Sequence, residues 1–438
     1  MARARQALTP GLAVGVGTAA FAGGFSVLAI LRHRAFGTGR FDLGNMTQAV
    51  WSTANGDVLS VTDVHGEQIS RLGAHFDPIL VLLAPLWWLW PDPELLLVVQ
   101  AAVVASGALP VYWLGLKHLG AAWPAAALAL AYLLSAPVQW LTVSDFHPVA
   151  FACPLLLFAW WHLDEGRLWA FALFAAAAIM TKEHVGLAVA AMGAWYAVRH
   201  RAPKHGATIA VVGGSVALVA ILVVVPHFAP TGSSAFESRY HAPSLDGRDL
   251  SYLAALLIPL ALLPLGAPLA ALAAVPELAL NVLSTAETQT SVFTHYAAVA
   301  IPTLFAAAIF AAARLDRRLA YAAALGSLAG MLVLGPAGRV DVRSEAHDDA
   351  ARRAVALVPA AAPVSATNAL GAQLSARRRI FSFPVLEEAE WVAVDERRLT
   401  YLDSLKPDRA RAPLAALRRD PRWRLVFSED GVLVFRRT

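Results

Sequence analysis

The chain has 438 residues, of which 58% are hydrophobic and 15% charged, and its mean hydropathy is +0.56. A soluble domain is about 45–50% apolar and about 25% charged, so the composition excludes a string of soluble domains and requires lipid as part of the solvent. A single cysteine, Cys153, excludes an intramolecular disulfide framework or a cysteine-rich metal site, and a net charge of +4 excludes the concentrated basic stripe of a nucleic-acid binder.

In chain order, Arg3 and Arg5 precede an apolar run from Gly11 to Leu31. The run continues past Ala20-Phe21-Ala22, a weak signal-peptidase pattern, and about 20 residues suffice to cross a bilayer of about 30 Å, so a retained first span is expected. Ten further spans follow: Leu95–Leu116, Trp123–Thr142, Val149–Leu163, Leu168–Thr181, Val185–Val198, Ala207–Val225, Leu250–Leu265, Pro268–Leu283, Ala297–Ala313 and Leu319–Leu334. Several are short enough to pair as broken helices. Ile79–Trp90 is too short to span and ends in Trp87, Trp88 and Trp90, residues that favour the headgroup region, which predicts an interfacial helix.

The charge is unevenly spread. Of 66 charged residues, 32 fall in the last 102. The chain therefore divides near Gly335–Gly338 into a membrane part, 1–336, and a soluble part, 337–438, with Pro336 between the two glycines. In the soluble part, His347–Val358, Ala369–Ala376 and Ala410–Arg419 read as helices. Val364–Thr367, Arg379–Phe383, Trp391–Asp395, Trp423–Ser428 and Val432–Arg436 read as strands, the last two as a hairpin around Glu429-Asp430-Gly431. The expected fold is an all-α polytopic bundle of about eleven transmembrane helices with a small C-terminal α/β domain. That domain has no Gly-rich phosphate loop; its expected task is to cover the outer site or bind an acceptor, with a structural appendage as the alternative, and Arg377-Arg378-Arg379 reads as a solvated face, with contact to lipid phosphates as the alternative.

With the N-terminus inside, the inner loops carry Lys117/His118, Arg167, Arg199–Lys204 and Arg314–Arg318, as the positive-inside rule requires. This places the N-terminus in the cytoplasm and the soluble domain outside. The same topology collects ionisable groups at the outer face: Asp42, His65, Glu67, Arg71, His75 and Asp77 in a long first loop (32–94), Asp145 and His147 in the second, and Lys182-Glu183-His184 in a bare turn. Glu237, Arg239, Tyr240 and His241 follow in the fourth loop, and Glu287, His295 and Tyr296 in the fifth. Charges at the membrane boundary are costly unless paired or facing a cavity, and commonly mark a site or a pathway. Asp145 and His147 equally read as a helix cap before Pro148, and His75-Phe76-Asp77-Pro78 as a cap of the interfacial helix.

These residues carry a resemblance. Phe41-Asp42-Leu43-Gly44-Asn45…Gln48…Trp51, His75-Phe76-Asp77-Pro78, Asp145-Phe146-His147-Pro148, Lys182-Glu183, Pro276-Glu277-Leu278…Asn281…Leu283-Ser284 and His295-Tyr296 resemble the bacterial multi-pass membrane proteins called domain of unknown function 2079. So do Val364-Ser365-Ala366-Thr367-Asn368, Leu374-Ser375…Arg377, Phe383-Pro384 and Asp430-Gly431-Val432…Arg436 in the tail. The family is similar to the GT-C glycosyltransferases, membrane enzymes that move a sugar from a polyprenyl-phosphate carrier to an acceptor on the outer face. The resemblance implies a GT-C-like bundle in the bacterial plasma (inner) membrane and a catalytic first-loop carboxylate at Asp42, alone here where some GT-C members have an acidic doublet.

Such a transfer needs a base for the acceptor hydroxyl, and Asp42 is the candidate. It needs cations or imidazolium for the leaving phosphate, and Lys182, His184, Arg239 and His295 are candidates with Arg71 in reserve. Direct displacement would invert the anomeric centre; a retaining route would need a nucleophilic carboxylate, for which Glu183 is placed. His75, Asp145, His147 and Tyr296 complete the expected substrate-binding set. The implied partners are a polyprenyl-phosphate-linked sugar, an envelope glycan, lipid or protein acceptor, and membrane lipids, but no nucleic acid. His75, Asp77, Asp145, His147, Glu183 and His295 are ligand types that leave a divalent metal open, though no helical His-Glu-x-x-His spacing is present and no metal ligand is assigned. A transporter or flippase, or a non-catalytic envelope-assembly scaffold, would also place charges at span ends, but no internal repeat of the transporter kind is found.

Overall fold

The computed structural model describes residues 2–233, 237–240, 246–334, 345–400, 403 and 407–438, without the side chains of 2–8, 237–238, 332–334 and 407–409. The expected division at 336/337 and His241 lie outside these residues. The chain is mostly helical, with a small C-terminal sheet domain. Among the described residues three helices are long and apolar enough to cross a membrane: Thr9–Arg34, Glu94–Leu119 and Pro203–Phe228. A fourth crossing arises if Ala122–Leu134 and Ala136–Val143 count as one span bent by 45°. The bend falls at Ser135, which is extended and whose hydroxyl accepts from Val138 N, with Pro137 just inside the new helix. The remaining apolar segments form shorter helices, Pro148–Asp164, Leu168–Ile179, Val185–Arg199, Pro268–Val282 and Ala300–Ala312. Leu250–Leu265 breaks after Leu257 into two 3₁₀ turns around Pro259 and Pro264.

Burial follows composition. Only 22% of an 18-residue apolar stretch is buried in each of Thr9–Arg34 and Pro203–Phe228, and Val211, Leu218, Leu222 and Val223 present apolar surface outward, as suits a lipid-facing helix. Ala300–Ala312 is buried on every side; a helix apolar all round belongs at the centre. The N-terminus of this central helix is capped by Glu277, whose Oε2 accepts from Val299 N at 2.9 Å and Ala300 N at 2.6 Å.

After the first helix the chain makes a π-helical turn, Arg40–Gly44, that runs directly into the helix Asn45–Ala54. An antiparallel ladder follows, β1 (Ser60–Thr62) with β2 (Gln68–Ser70). The expected interfacial helix is a 3₁₀ stretch, Pro78–Leu83, and one helical turn, Ala84–Trp87, ending in exposed Trp88 and Leu89.

The C-terminal domain is a five-stranded sheet in the order β4-β3-β5-β7-β6. Here β3 is Val364–Ala366, β4 Ile380–Ser382, β5 Trp391–Asp395, β6 Trp423–Glu429 and β7 Val432–Arg437. The first three strands are parallel, and β7 pairs antiparallel with both β5 and β6. The β6–β7 turn takes Asp430 and Gly431 at positive φ, as a two-residue Asp-Gly hairpin requires. Alternation along β7 builds two cores: Val432 and Val434 face Ala350, Ala354 and Leu370, whereas Leu433 and Phe435 face Leu414 and Leu417. Phe36, from the first loop of the membrane part, inserts into the former core at 4% exposure with φ of 54°. Arg377 is not part of a solvated face: it is buried and donates to the carbonyls of Pro359 and Ala362.

Candidate active site

Loops at one end of the bundle and the C-terminal domain surround a cavity of about 780 Å³ rich in ionisable side chains. Asp42, Arg71, His75, Asp77, Asp145, His147, Lys182, Arg239, His295 and Tyr296 line it, residues drawn from across the first 296 positions. Asp42 is carried by the π-helical turn, a local irregularity that re-aims side chains and recurs at functional sites. His147 Nε2 lies 3.3 Å from Asp42 Oδ1, and His147 Nδ1 lies 3.1 Å from the Asp145 carbonyl. Both partners are acceptors, so both contacts are hydrogen bonds only when both ring nitrogens carry a proton. Asp42 Oδ2 accepts no hydrogen bond from a described residue, and the side chain is 44% exposed, toward the cavity. Enclosure pushes the Asp42 carboxyl upward, but the His147 contact and the charges of His147, Arg71 and Arg32 outweigh it and hold the group below the usual carboxylate range.

Asp145 has a different task. Its Oδ1 binds Arg32 Nη1 at 2.7 Å and its Oδ2 accepts from Gly39 N at 2.7 Å, so it ties the second loop to the end of the first helix. His147 occupies the N-cap position of the following turn, Pro148–Phe151, with Pro148 at its start as the cap reading expects, but its side chain makes no capping bond. His147 stacks on His295, with centroids 3.8 Å apart, and His295 leans on Tyr296. Burial, foremost, and the nearby charges of Lys182 and Arg239 hold the His295 imidazole well below its ordinary range.

The opposite wall is built from pairs. Arg71 grips Asp77 Oδ2 through Nε at 3.0 Å and Nη2 at 2.8 Å. Asp77 occupies the N-cap position before Pro78, where the cap reading places it, but its side chain goes to Arg71 and makes no capping bond. Burial pushes the Asp77 carboxyl up to about 6 despite Arg71. Glu183 accepts from His75 Nδ1 and from Phe76 N, each at 3.1 Å; burial is overcome by these partners and by Lys182, so Glu183 is held far below the usual carboxylate range. His75 is pushed down to about 4, mainly by burial. His184 turns away and reaches Glu277 at 3.4 Å. Among the described residues no three His, Cys, Asp or Glu side chains meet as a metal-ligand set: of the ligand types named by the sequence, His75 and Glu183 pair with each other, while Asp77 is held by Arg71, Asp145 by Arg32 and His147 by Asp42.

A second, more apolar groove of about 500 Å³ opens beside the cavity. Ile221, Leu222, Val225, Pro226 and Leu280 form its apolar side, and Lys182, Arg239, His295 and Tyr296 are common to both spaces. At this junction Lys182 Nζ stands 5.3 Å above the Tyr296 ring and makes no ion pair with a described residue, while Arg239 Nη1 donates to the Tyr296 hydroxyl at 3.3 Å.

Residues 32–434 match the model of the family described as "Predicted membrane protein (DUF2079)". The chain belongs to this family. Two solved structures share its fold. One is ArnT from Cupriavidus metallidurans bound to undecaprenyl phosphate, with a TM-score of 0.60, 13% identity, and coverage of 96% of this chain and 97% of that one. The other is the same protein in the apo state, with a TM-score of 0.56, 14% identity, and coverage of 90% and 93%. No curated protein matches. At such identities the likeness concerns the fold, and it bears out the GT-C-like architecture that the family's sequence resemblance implied.

The cavity therefore gathers Asp42, His75, Asp145, His147, Lys182, Arg239, His295 and Tyr296, while Glu183 and His184 line the apolar groove. Sequence reasoning overlooked Arg32, which anchors Asp145, and the wall supplied by the C-terminal domain, Asn368, Ala369, Arg398, Leu399 and Thr400. Asn368 was visible as part of a tail motif, but nothing in its local sequence pointed toward residue 41.

Proposed function

We propose that the protein transfers a sugar from a polyprenyl-phosphate donor to an envelope acceptor at the extracytoplasmic face of the bacterial plasma membrane. The observation that carries this reading is the junction: a cavity rich in ionisable side chains, a carboxylate among them, meets an apolar groove across a wall bearing Lys182 and Arg239. A lipid-linked sugar phosphate has the same three parts in the same order. The prenyl chain lies in the groove along Ile221, Leu222, Val225 and Leu280. The phosphate sits at Lys182 and Arg239, and the sugar projects toward Asp42. The solved neighbour with undecaprenyl phosphate bound supports a ligand of this class.

In the proposed reaction the acceptor hydroxyl oxygen attacks the anomeric carbon, the bond from that carbon to the phosphate oxygen breaks, and its electron pair stays on the phosphate. The hydroxyl proton passes to Asp42 Oδ2, the oxygen left open toward the cavity, while His147 holds Oδ1. Lys182 and Arg239 stabilise the charge that develops on the leaving phosphate. This single displacement inverts the centre. A retaining route through Glu183 is disfavoured because its hydrogen bonds from His75 and the Phe76 amide stabilise the ionised carboxylate and lower its nucleophilicity.

Two measurements test the reading. Native mass spectrometry of the purified chain with undecaprenyl phosphate should show a bound lipid, weakened in Lys182→Met. Lipid extracts of cells lacking the gene should accumulate a sugar-linked polyprenyl phosphate, and Asp42→Asn should not restore the wild-type profile. Movement of the lipid across vesicles with no transfer in either strain would replace the enzyme by a flippase.

A further inference from the structure

We propose that the C-terminal domain is a positioning element of the site: it caps the end of the first membrane helix and packs flush on the turn that carries Asp42. The inference rests on the reading of Asp42 as the base, and deepens it.

The first helix ends at Arg34, and the last carbonyls of a helix have no partner within it. Three side chains of the C-terminal domain donate to three consecutive carbonyls there: Gln373 Nε2 to His33 O at 2.7 Å, Arg352 Nη1 to Arg34 O at 3.2 Å and Arg398 Nη1 to Ala35 O at 3.0 Å. The next residue, Phe36, is the one buried in the domain's core. Arg40, at the start of the π-helical turn, is 2% exposed and makes no ion pair with a described residue, Asp63 acting on it only at longer range. Its guanidinium donates to Thr62 O, Ile380 O and Ser382 Oγ at 2.6 to 2.9 Å, so it bridges the first loop and β4. The next amide, Phe41 N, donates to Asn368 Oδ1 at 3.3 Å.

The contact has no spare room. A Cβ added at Gly371, on the helix Asn368–Gln373, would lie 2.8 Å from Arg40 Cβ; one added at Gly44 would lie 2.5 Å from Ser375 Oγ. The glycines let two backbones meet face to face around Asp42. The carboxylate is thus held from both sides: by His147 from within the membrane part and by the C-terminal domain through its flanking residues. A reacting group displaced by about 1 Å can lose about a hundredfold in rate, so such a clamp is worth what it costs in chain length. In this account Asn368, Gln373 and Arg40 are positioning residues; none needs to touch substrate.

Two full-length variants test it. In Asn368→Ala/Gln373→Ala, hydrogen exchange followed by mass spectrometry should rise in residues 33–44 and stay low in the central helix Ala300–Ala312. Unchanged exchange at 33–44 would overturn the inference whatever the activity. Gly44→Ala should lower kcat of sugar transfer by about a hundredfold with donor KM and undecaprenyl phosphate binding retained. Adding Ser375→Ala removes the opposing oxygen, leaves contacts of 3.3 Å and more, and should restore most of kcat. A loss shared equally by kcat and lipid binding, without rescue, would mean a folding defect and overturn the positioning role. Full transfer by Asp42→Asn would instead remove the base on which the inference rests, a failure distinct from either of the others.

Discussion

The two carboxylates singled out as catalytic, Asp42 and Glu183, sit in opposite chemical settings. Asp42 makes one contact with an imidazole, keeps Oδ2 open, and is 44% exposed to the cavity. Glu183 is 20% exposed and both of its oxygens are occupied, by His75 and by the amide of Phe76. The difference separates a group that can take a proton from one that holds a loop. Each oxygen keeps a second lone pair, but hydrogen bonds to both oxygens stabilise the ionised form and so lower its basicity and nucleophilicity, each bond to a charged group being worth about 1.5–3 kcal/mol. Asp145 belongs with Glu183, since Arg32 and Gly39 take its two oxygens.

The comparison can be broken by substitution. The largest effect is expected at Asp42: Asp42→Asn should reduce transfer by about 10²–10⁴-fold, the range of a positioned base, with undecaprenyl phosphate still bound in native mass spectrometry. Retained turnover would move the base elsewhere. Lys182→Met should weaken undecaprenyl phosphate binding by about tenfold to a hundredfold, the loss of one charge-assisted hydrogen bond; unaltered affinity would move the phosphate away from the junction.

Glu183→Gln should lower stability by about 1–3 kcal/mol, read as a denaturation midpoint, and reduce transfer less than Asp42→Asn does. An equal loss of transfer would return Glu183 to the chemistry and favour retention.

The smallest effect is a change of slope. Asp77 is pushed up to about 6 in the folded protein, from an ordinary value of 3.8. The folded state then binds a proton more readily than the unfolded one. The stability from that proton is fully present below about pH 4 and is lost as pH rises through about 6. At most this amounts to about 3 kcal/mol for two pKa units. Asp77→Asn should flatten the change in thermal midpoint between pH 4 and 6, and an unchanged slope would mean that Asp77 stays ionised against Arg71.

Much of the bundle was legible because burial in lipid leaves a strong local signal: each of the eleven apolar runs falls on helical structure, although among the described residues three or four helices have the length to span. The breaks were less legible. Ser135-Ala136-Pro137 inside Trp123–Thr142 contains a cap and a helix-starting proline, but the surrounding apolar run masks them. The strands of the soluble part were legible from alternation, as in Val432–Arg437, where successive residues face different cores. At the site, residue types and their common level in the membrane could be read, but pairings could not. His184 leaves the cavity for Glu277, while His75 takes Glu183, and adjacent positions in one turn carry no trace of that choice.

The sequence by itself determined that the chain folds as an apolar helical bundle with a charged sheet domain, and that titratable groups gather at one end, because hydrophobic period and charge placement are local and additive. Only the tertiary structure decided that His147 partners Asp42 across 105 positions, and that a domain more than 300 residues away in the chain clamps the turn beside it. Those contacts depend on hydrogen-bond angles and close backbone approach, which exist only once distant segments are packed.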